Sequence, residues 1–210
     1  MTDAYRPKSR RPIAQPLRRT ATTAVALCCR LNVHPDLISY LSVVASLIAA
    51  VCFWYSARWP WLLLVAPLFC YARLYCNMLD GMVAVEHGRG GPSGPIWNEL
   101  PDRAADSLFL VPLGYAAGLP WLGWLAALLA MATAYVRVTG GALGLAQDFR
   151  GPQAKPHRMA VMTLGCLAAA AELALAGSQH ALFAALAIIA TGSAWTCLAR
   201  TAAIARQLRA

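Results

Sequence analysis

The residues best suited to chemistry lie close together: Asn77-Met-Leu-Asp80-Gly81-Met-Val-Ala84, then Gly94-Pro-Ile-Trp-Asn98-Glu99-Leu-Pro-Asp102-Arg-Ala-Ala-Asp106 after a glycine-rich connector. On a helix, 77, 80 and 84 share one face, while 98, 102 and 106 stand at i, i+4 and i+8 along the next. Glu99, Asp102 and Asp106 form a second row, at i, i+3 and i+7. Hard oxygen donors presented by two facing helices suit Mg²⁺ or Mn²⁺ holding a pyrophosphate. Gly81, with no Cβ, lets a substrate or a neighbouring helix come close to the backbone. The connector from Gly88 to Gly94 lacks P-loop spacing and reads as a flexible link. A basic stretch from Arg137 through Arg150 to Lys155-Pro-His157-Arg158 would place cations beside these acids.

The elements carrying these residues are apolar. The chain has 210 residues, of which 59% are hydrophobic and 13% charged, with a mean hydropathy of +0.52. An ordinary soluble domain is about a quarter charged, so lipid is the expected solvent. Carboxylates placed there are expensive and need partners, which makes the acidic cluster a functional candidate.

A span needs about 20 apolar residues. The expected fold class is therefore an all-α membrane protein of six transmembrane helices, over about 37–55, 61–83, 98–117, 120–137, 159–176 and 182–200. Residues 1–34 form a basic N-terminal segment whose stretch from Pro16 to Leu31 alternates arginine with apolar residues, as an amphipathic helix lying on a membrane surface does. Asp36 is the expected N-cap of the first span. Residues 35–210 make up the membrane domain.

The net charge of +9 does not point to nucleic acid, because the basic residues sit at the ends of apolar runs. Of 18 lysines and arginines, Arg58 alone falls in an expected outer loop. By the positive-inside rule both termini, the inner loops 84–97 and 138–158, and the acidic cluster face the cytoplasm of a cell's inner membrane. The seven cysteines lack paired spacing and read as buried thiols.

The stretch from Asn77 to Asp102 resembles the signature of the CDP-alcohol phosphatidyltransferases, D-x2-D-G-x2-A-R-x8-G-x3-D-x3-D, which lies on the second and third of six membrane helices. Asp80, Gly81, Ala84, Gly94 and Asp102 match in type and spacing, while Asn77, Val85 and Asn98 replace two aspartates and the arginine. The resemblance implies transfer of a phosphatidyl group from a CDP-linked lipid to an acceptor alcohol, with release of CMP. It implies one or two Mg²⁺ or Mn²⁺ ions, held by Asn77, Asp80, Asn98 and Asp102 with Glu99 and Asp106 as compensating ligands, and Asp102 as general base. The nucleotide would lie against Gly81, Ala84 and Gly94, with Arg73 substituting for the missing motif arginine. Arg137, Lys155 and Arg158 would hold the phosphate of an anionic acceptor such as glycerol 3-phosphate or inositol phosphate. A homodimer in membrane lipid is the common assembly of the family.

Other readings remain open on the residues alone. The fold suits transfer of a head group from a soluble CDP-alcohol to a lipid hydroxyl, and the two asparagines suit a CDP-lipid-binding relative without activity. A cation transporter fits less well, since the acids sit at helix ends and the two halves show no repeat. The polar residues could also be structural pairs, such as Asn77 with Arg73 and Asp106 with Arg103 or with another helix.

Overall fold

A computed structural model describes the backbone of residues 15–86 and 94–209, and the side chains from residue 21 onward except 35, 84–86 and 94–98. The side chains of Ala84 and Asn98, and the surroundings of Gly94, therefore lie outside the described residues. The described residues form seven helices and no strand: α1 (Gln15–Arg30), α2 (Pro35–Tyr55), α3 (Leu62–Glu86), α4 (Gly94–Ala116), α5 (Pro120–Ala142), α6 (Lys155–Ala176) and α7 (His180–Gln207).

Helix ends follow local chemistry. His34, not Asp36, caps α2: its Nδ1 accepts from the Asp36 amide at 3.3 Å, with Pro35 opening the helix. Proline at a first helical position lacks only an amide that would have no partner there. Gly118 and Gly177, with φ of 69° and 66°, end α4 and α6 in the left-handed region that glycine enters without penalty. Helices α5 and α7 run past their expected ends at 137 and 200, since glycines and polar residues continue a helix whose next turn still packs.

Six helices close a ring. α2 packs on α3 and α4, α3 also on α6, α6 on α7, α7 on α5, and α5 on α4. The core holds Phe53, Leu63, Phe109, Leu113, Met162, Leu182, Leu186 and Ile189. Small buried residues, among them Ala49, Ala66, Ala126, Ala130 and Ala169, bring helices close, as in bundles that gain nothing from burying leucine away from lipid. The exposed surface is apolar too: Leu41, Val44, Leu47, Ile48 and Val51 of α2 face outward.

Among the described residues five helices, α2, α3, α5, α6 and α7, are long and apolar enough to cross a membrane. α4 falls outside that set because its first half carries Glu99, Asp102, Arg103 and Asp106. It is also a well-covered helix: of its described residues only Leu100, Ala104 and Tyr115 are exposed. The charged helix is thus the one held away from lipid. α1 packs on the end of α3, with Ala21 and Val25 buried against Leu79, Val83 and Ile38. At the opposite end Trp54 lies 4.9 Å from Tyr115, and Arg58 stands 5.5 Å over Trp59.

The α4–α5 crossing depends on two glycines. A Cβ on Gly123 would lie 2.7 Å from the Leu110 carbonyl oxygen and 2.8 Å from the Gly114 Cα, both rigid backbone. Gly123→Ala is expected to cost about 1–3 kcal/mol, read as a lower thermal midpoint in detergent. Gly81→Ala, whose Cβ would meet nothing within 4 Å, is expected to leave that midpoint unchanged.

Candidate active site

Alternating helix directions bring the ends of α3, α5 and α7 and the starts of α4 and α6 to one side of the ring, where the polar residues gather. Asp102 is at their centre and fully buried. Its Oδ1 accepts from Arg73 Nη2 and, at 3.0 Å, from Asn77 Nδ2, both on α3. Lys155 Nζ, at the start of α6, stands 2.6 Å from the same oxygen, and Arg103 lies 3.5 Å from Oδ2. α3 and α4 touch only briefly, so this junction is much of what joins them. Arg73 is itself 1% exposed, and among the described residues its Nε and Nη1 have no hydrogen-bond partner.

Two further pairs surround this one. Arg158 Nη2 donates to Asp106 Oδ2 at 2.7 Å, and its Nη1 to the Gln153 carbonyl at 2.9 Å and Thr133 Oγ1 at 3.3 Å. Arg137 grips both oxygens of Glu99, at 2.6 and 2.7 Å, donates to Gln147, and lies 5.1 Å over the Phe149 ring. Asp80 Oδ2 accepts from Ser39 Oγ at 2.7 Å. Gly81 sits beside it with open space where a Cβ would be. Ala84, Gly94 and Asn98 have no described side-chain surroundings to place them.

Of the expected structural pairs, Asp106 reaches another helix, taking Arg158 from the second basic stretch, whereas Arg73 and Asn77 both turn to Asp102. Arg137, Lys155 and Arg158 each meet a carboxylate of α4. Three acids, Glu99, Asp102 and Asp106, thus meet five cations, Arg73, Arg103, Arg137, Lys155 and Arg158, while Asp80 takes the Ser39 hydroxyl. That excess of positive charge suits an anionic ligand.

Three contributors escaped the sequence reading. Ser39 belongs to α2, and no spacing ties it to Asp80. Gln147 is, by sequence, only part of a loop. Arg200 reads in the sequence as a flanking charge, yet it is 5% exposed and donates at 2.8 Å to the carbonyls of Arg150 and Thr133, tying the 143–154 loop and α5 to α7. The loop closes tightly there: Gly151 has φ of 129°, and a Cβ would lie 2.4 Å from Thr196 Cγ2. Asp148 braces the loop through Arg150, whose guanidinium holds its carboxyl below the usual carboxylate range. A cleft of about 170 Å³ lies here, between Asp148, Arg150, Arg200 and Arg206.

Asp106 and Arg158 are about equally buried, so removing one leaves the other's charge uncompensated. Arg158→Met is expected to cost about 3–5 kcal/mol, while the double variant Asp106→Leu/Arg158→Met recovers most of it. Thermal unfolding of the set in detergent checks this.

No protein-family model matches the chain. It is 32% identical over 169 residues to an archaetidylinositol phosphate synthase of Aeropyrum pernix, covering 78% of this chain and 84% of that protein. A phosphatidylinositol phosphate synthase of Streptomyces avermitilis is 24% identical over 197 residues, covering 90% and 79%. In fold the chain is similar to the Mycobacterium tuberculosis phosphatidylinositol phosphate synthase with CDP-DAG bound, with a TM-score of 0.72, 22% identity, and coverage of 89% of this chain and 94% of that one. The same synthase in complex with manganese and citrate gives a TM-score of 0.71 at 20% identity, covering 88% of each. Sequence likeness across most of both chains, on a shared fold of packed membrane-length helices, establishes that this multi-pass protein belongs to the CDP-alcohol phosphatidyltransferase family.

Proposed function

We propose that this enzyme transfers the phosphatidyl group of CDP-diacylglycerol to the hydroxyl of an anionic polyol phosphate, releasing CMP. The observation that carries this reading is the excess of cations around Asp102, on a scaffold shared with synthases of phosphatidylinositol phosphate. Inositol phosphate is the acceptor class those relatives suggest, with glycerol 3-phosphate as the other candidate. Head-group transfer from a soluble CDP-alcohol would leave the basic residues from Arg137 to Arg158 without a phosphate to bind.

The donor set fits a divalent ion. Asp80, Asp102 and the Asn77 amide offer hard oxygens from two walls of one site, the chemistry that Mg²⁺ and Mn²⁺ select, and the mycobacterial synthase binds manganese. A bound ion would offset charge on the pyrophosphate of the donor. The chain's own groups do the rest. Open space at Gly81 admits the nucleotide against α3, and Arg73 directs buried donors to its phosphates. Asn98, Glu99 and Asp106 complete or orient the ligand set, and Ala84 and Gly94 line the nucleotide's path. Arg137 and Arg158 exchange their carboxylate partners for the acceptor phosphate, orienting the hydroxyl toward the phosphorus, while Lys155 turns from Asp102 to the donor's pyrophosphate. Asp102, released from its cations as they turn to substrate, takes the hydroxyl proton.

We place all six ring helices across the membrane, α4 included, because it packs on both α2 and α5 and only three of its described residues are exposed. α1 then lies at the inner surface with both termini and the active site cytoplasmic, in the inner membrane of the cell. A homodimer in lipid is the expected assembly, and nucleic acid has no part in the function.

Metal-dependent CMP release from CDP-diacylglycerol in detergent tests this reading. Wild type with Mg²⁺ or Mn²⁺ and a polyol phosphate is expected to release CMP, chelation to stop it, and Asp80→Ala and Asp102→Ala each to lower the rate by about 10²–10³. Donor binding without CMP release over a panel of acceptors would favour an inactive relative.

A further inference from the structure

We propose that this site takes a single divalent ion and that Arg73 and Lys155, parts of the chain itself, supply the remaining positive charge that a nucleotide pyrophosphate needs. The proposal rests on the transferase reading above and refines its charge balance.

Where α3 and α4 face each other, the chain presents two carboxylates, Asp80 and Asp102, and an amide, Asn77. An amide oxygen can ligate an ion but brings no charge to offset it. Asp102 is already balanced, since one of its oxygens holds Arg73 and Asn77 and has the Lys155 ammonium 2.6 Å away. Among the described residues, no three His, Cys, Asp or Glu side chains converge on a point where a metal could sit. Asp80, on the neighbouring wall, accepts instead from a neutral hydroxyl, that of Ser39. A first divalent ion at Asp80 can share Asp102. A second ion on Asp102 would meet the two cations that already hold that carboxylate, and the other described acids of α4, Glu99 and Asp106, are held by Arg137 and Arg158.

Arg73 carries the independent sign that a ligand belongs here. Its Nε and Nη1 are buried and without a hydrogen-bond partner among the described residues. Burying donors in that way is costly unless acceptor oxygens arrive to meet them. A pyrophosphate offers several such oxygens, and a guanidinium can hold two at once. Lys155 approaches from α6 and Arg73 from α3, so the two cations converge on one oxygen of Asp102. That oxygen already carries two positive partners from the chain itself.

Mn²⁺ bound per chain, counted by electron paramagnetic resonance on purified full-length protein with CDP-diacylglycerol, is the direct test. One ion is expected for wild type. The triple variant Asn77→Asp/Asn98→Asp/Lys155→Met, which restores acids and removes the ammonium, is expected to bind two. If that variant fails to fold, Asn77→Asp/Asn98→Asp is expected to show a second, weaker ion instead. Arg73→Met is expected to weaken CDP-diacylglycerol binding about 10- to 100-fold with the count still one. Two ions on wild type, or undiminished donor binding by Arg73→Met, would overturn the proposal while leaving the transferase reading intact. Failure of wild type to bind CDP-diacylglycerol at all would instead overturn that reading.

Discussion

A carboxylate cannot stay charged and alone inside a helical bundle, and Asp102 is fully buried. Desolvating an ion costs several kcal/mol, so its folded position requires partners supplied from other elements. They come from α3, as Arg73 and Asn77, and from α6, as Lys155. Three helices that are not all neighbours in the ring are thereby fixed in rotation and depth relative to one another. Asp106 with Arg158, and Glu99 with Arg137, repeat the solution towards α6 and α5. Most of the structure around the site follows from keeping these charges paired.

The same constraint explains why α4 sits where it does. A helix bearing four charged residues in its first half cannot face lipid, and the ring gives α4 the protected place between α2 and α5, with α3 and α7 also touching it. The glycine pair 114 and 123 draws α4 and α5 together at the far end, where Ala117 to Leu119 leave a short turn. Stability is concentrated in the apolar half and chemistry in the paired half. Because the cations are already held by acids of the chain, on the proposed reading an arriving anion would exchange partners with groups already in place. The cost of ordering and dehydrating them has been met during folding.

Much of this was legible in the residues. Runs of about 20 apolar residues located most of the helices, and the resemblance carried by Asp80, Gly81 and Asp102 pointed to the family that the relatives show. α1 was visible as arginine alternating with small apolar residues. α4 was harder: its charge disqualifies it by composition, and only the packing shows that the charge points inward. Pairings were the least legible. Nothing in the spacing says that Arg73 reaches Asp102 rather than Asn77 one turn away, that Arg158 selects Asp106, or that Ser39 on another helix meets Asp80, because these are consequences of helix rotation. The reach of Arg200 to the Thr133 carbonyl was hidden for the same reason, as a buried arginine and a flanking one look identical in a list of residues.

The account turns on whether the cations held by Asp102 are the ones that receive substrate. An experimental structure of the protein with CDP-diacylglycerol and Mn²⁺ addresses this directly. The expected result is a pyrophosphate beside Gly81, between α3 and α4, with Arg73 and Lys155 within hydrogen-bond reach of its oxygens and Asp102 turned to the ion. A donor bound elsewhere on the molecule, with Asp102 still closed on Arg73 and Lys155, would contradict it.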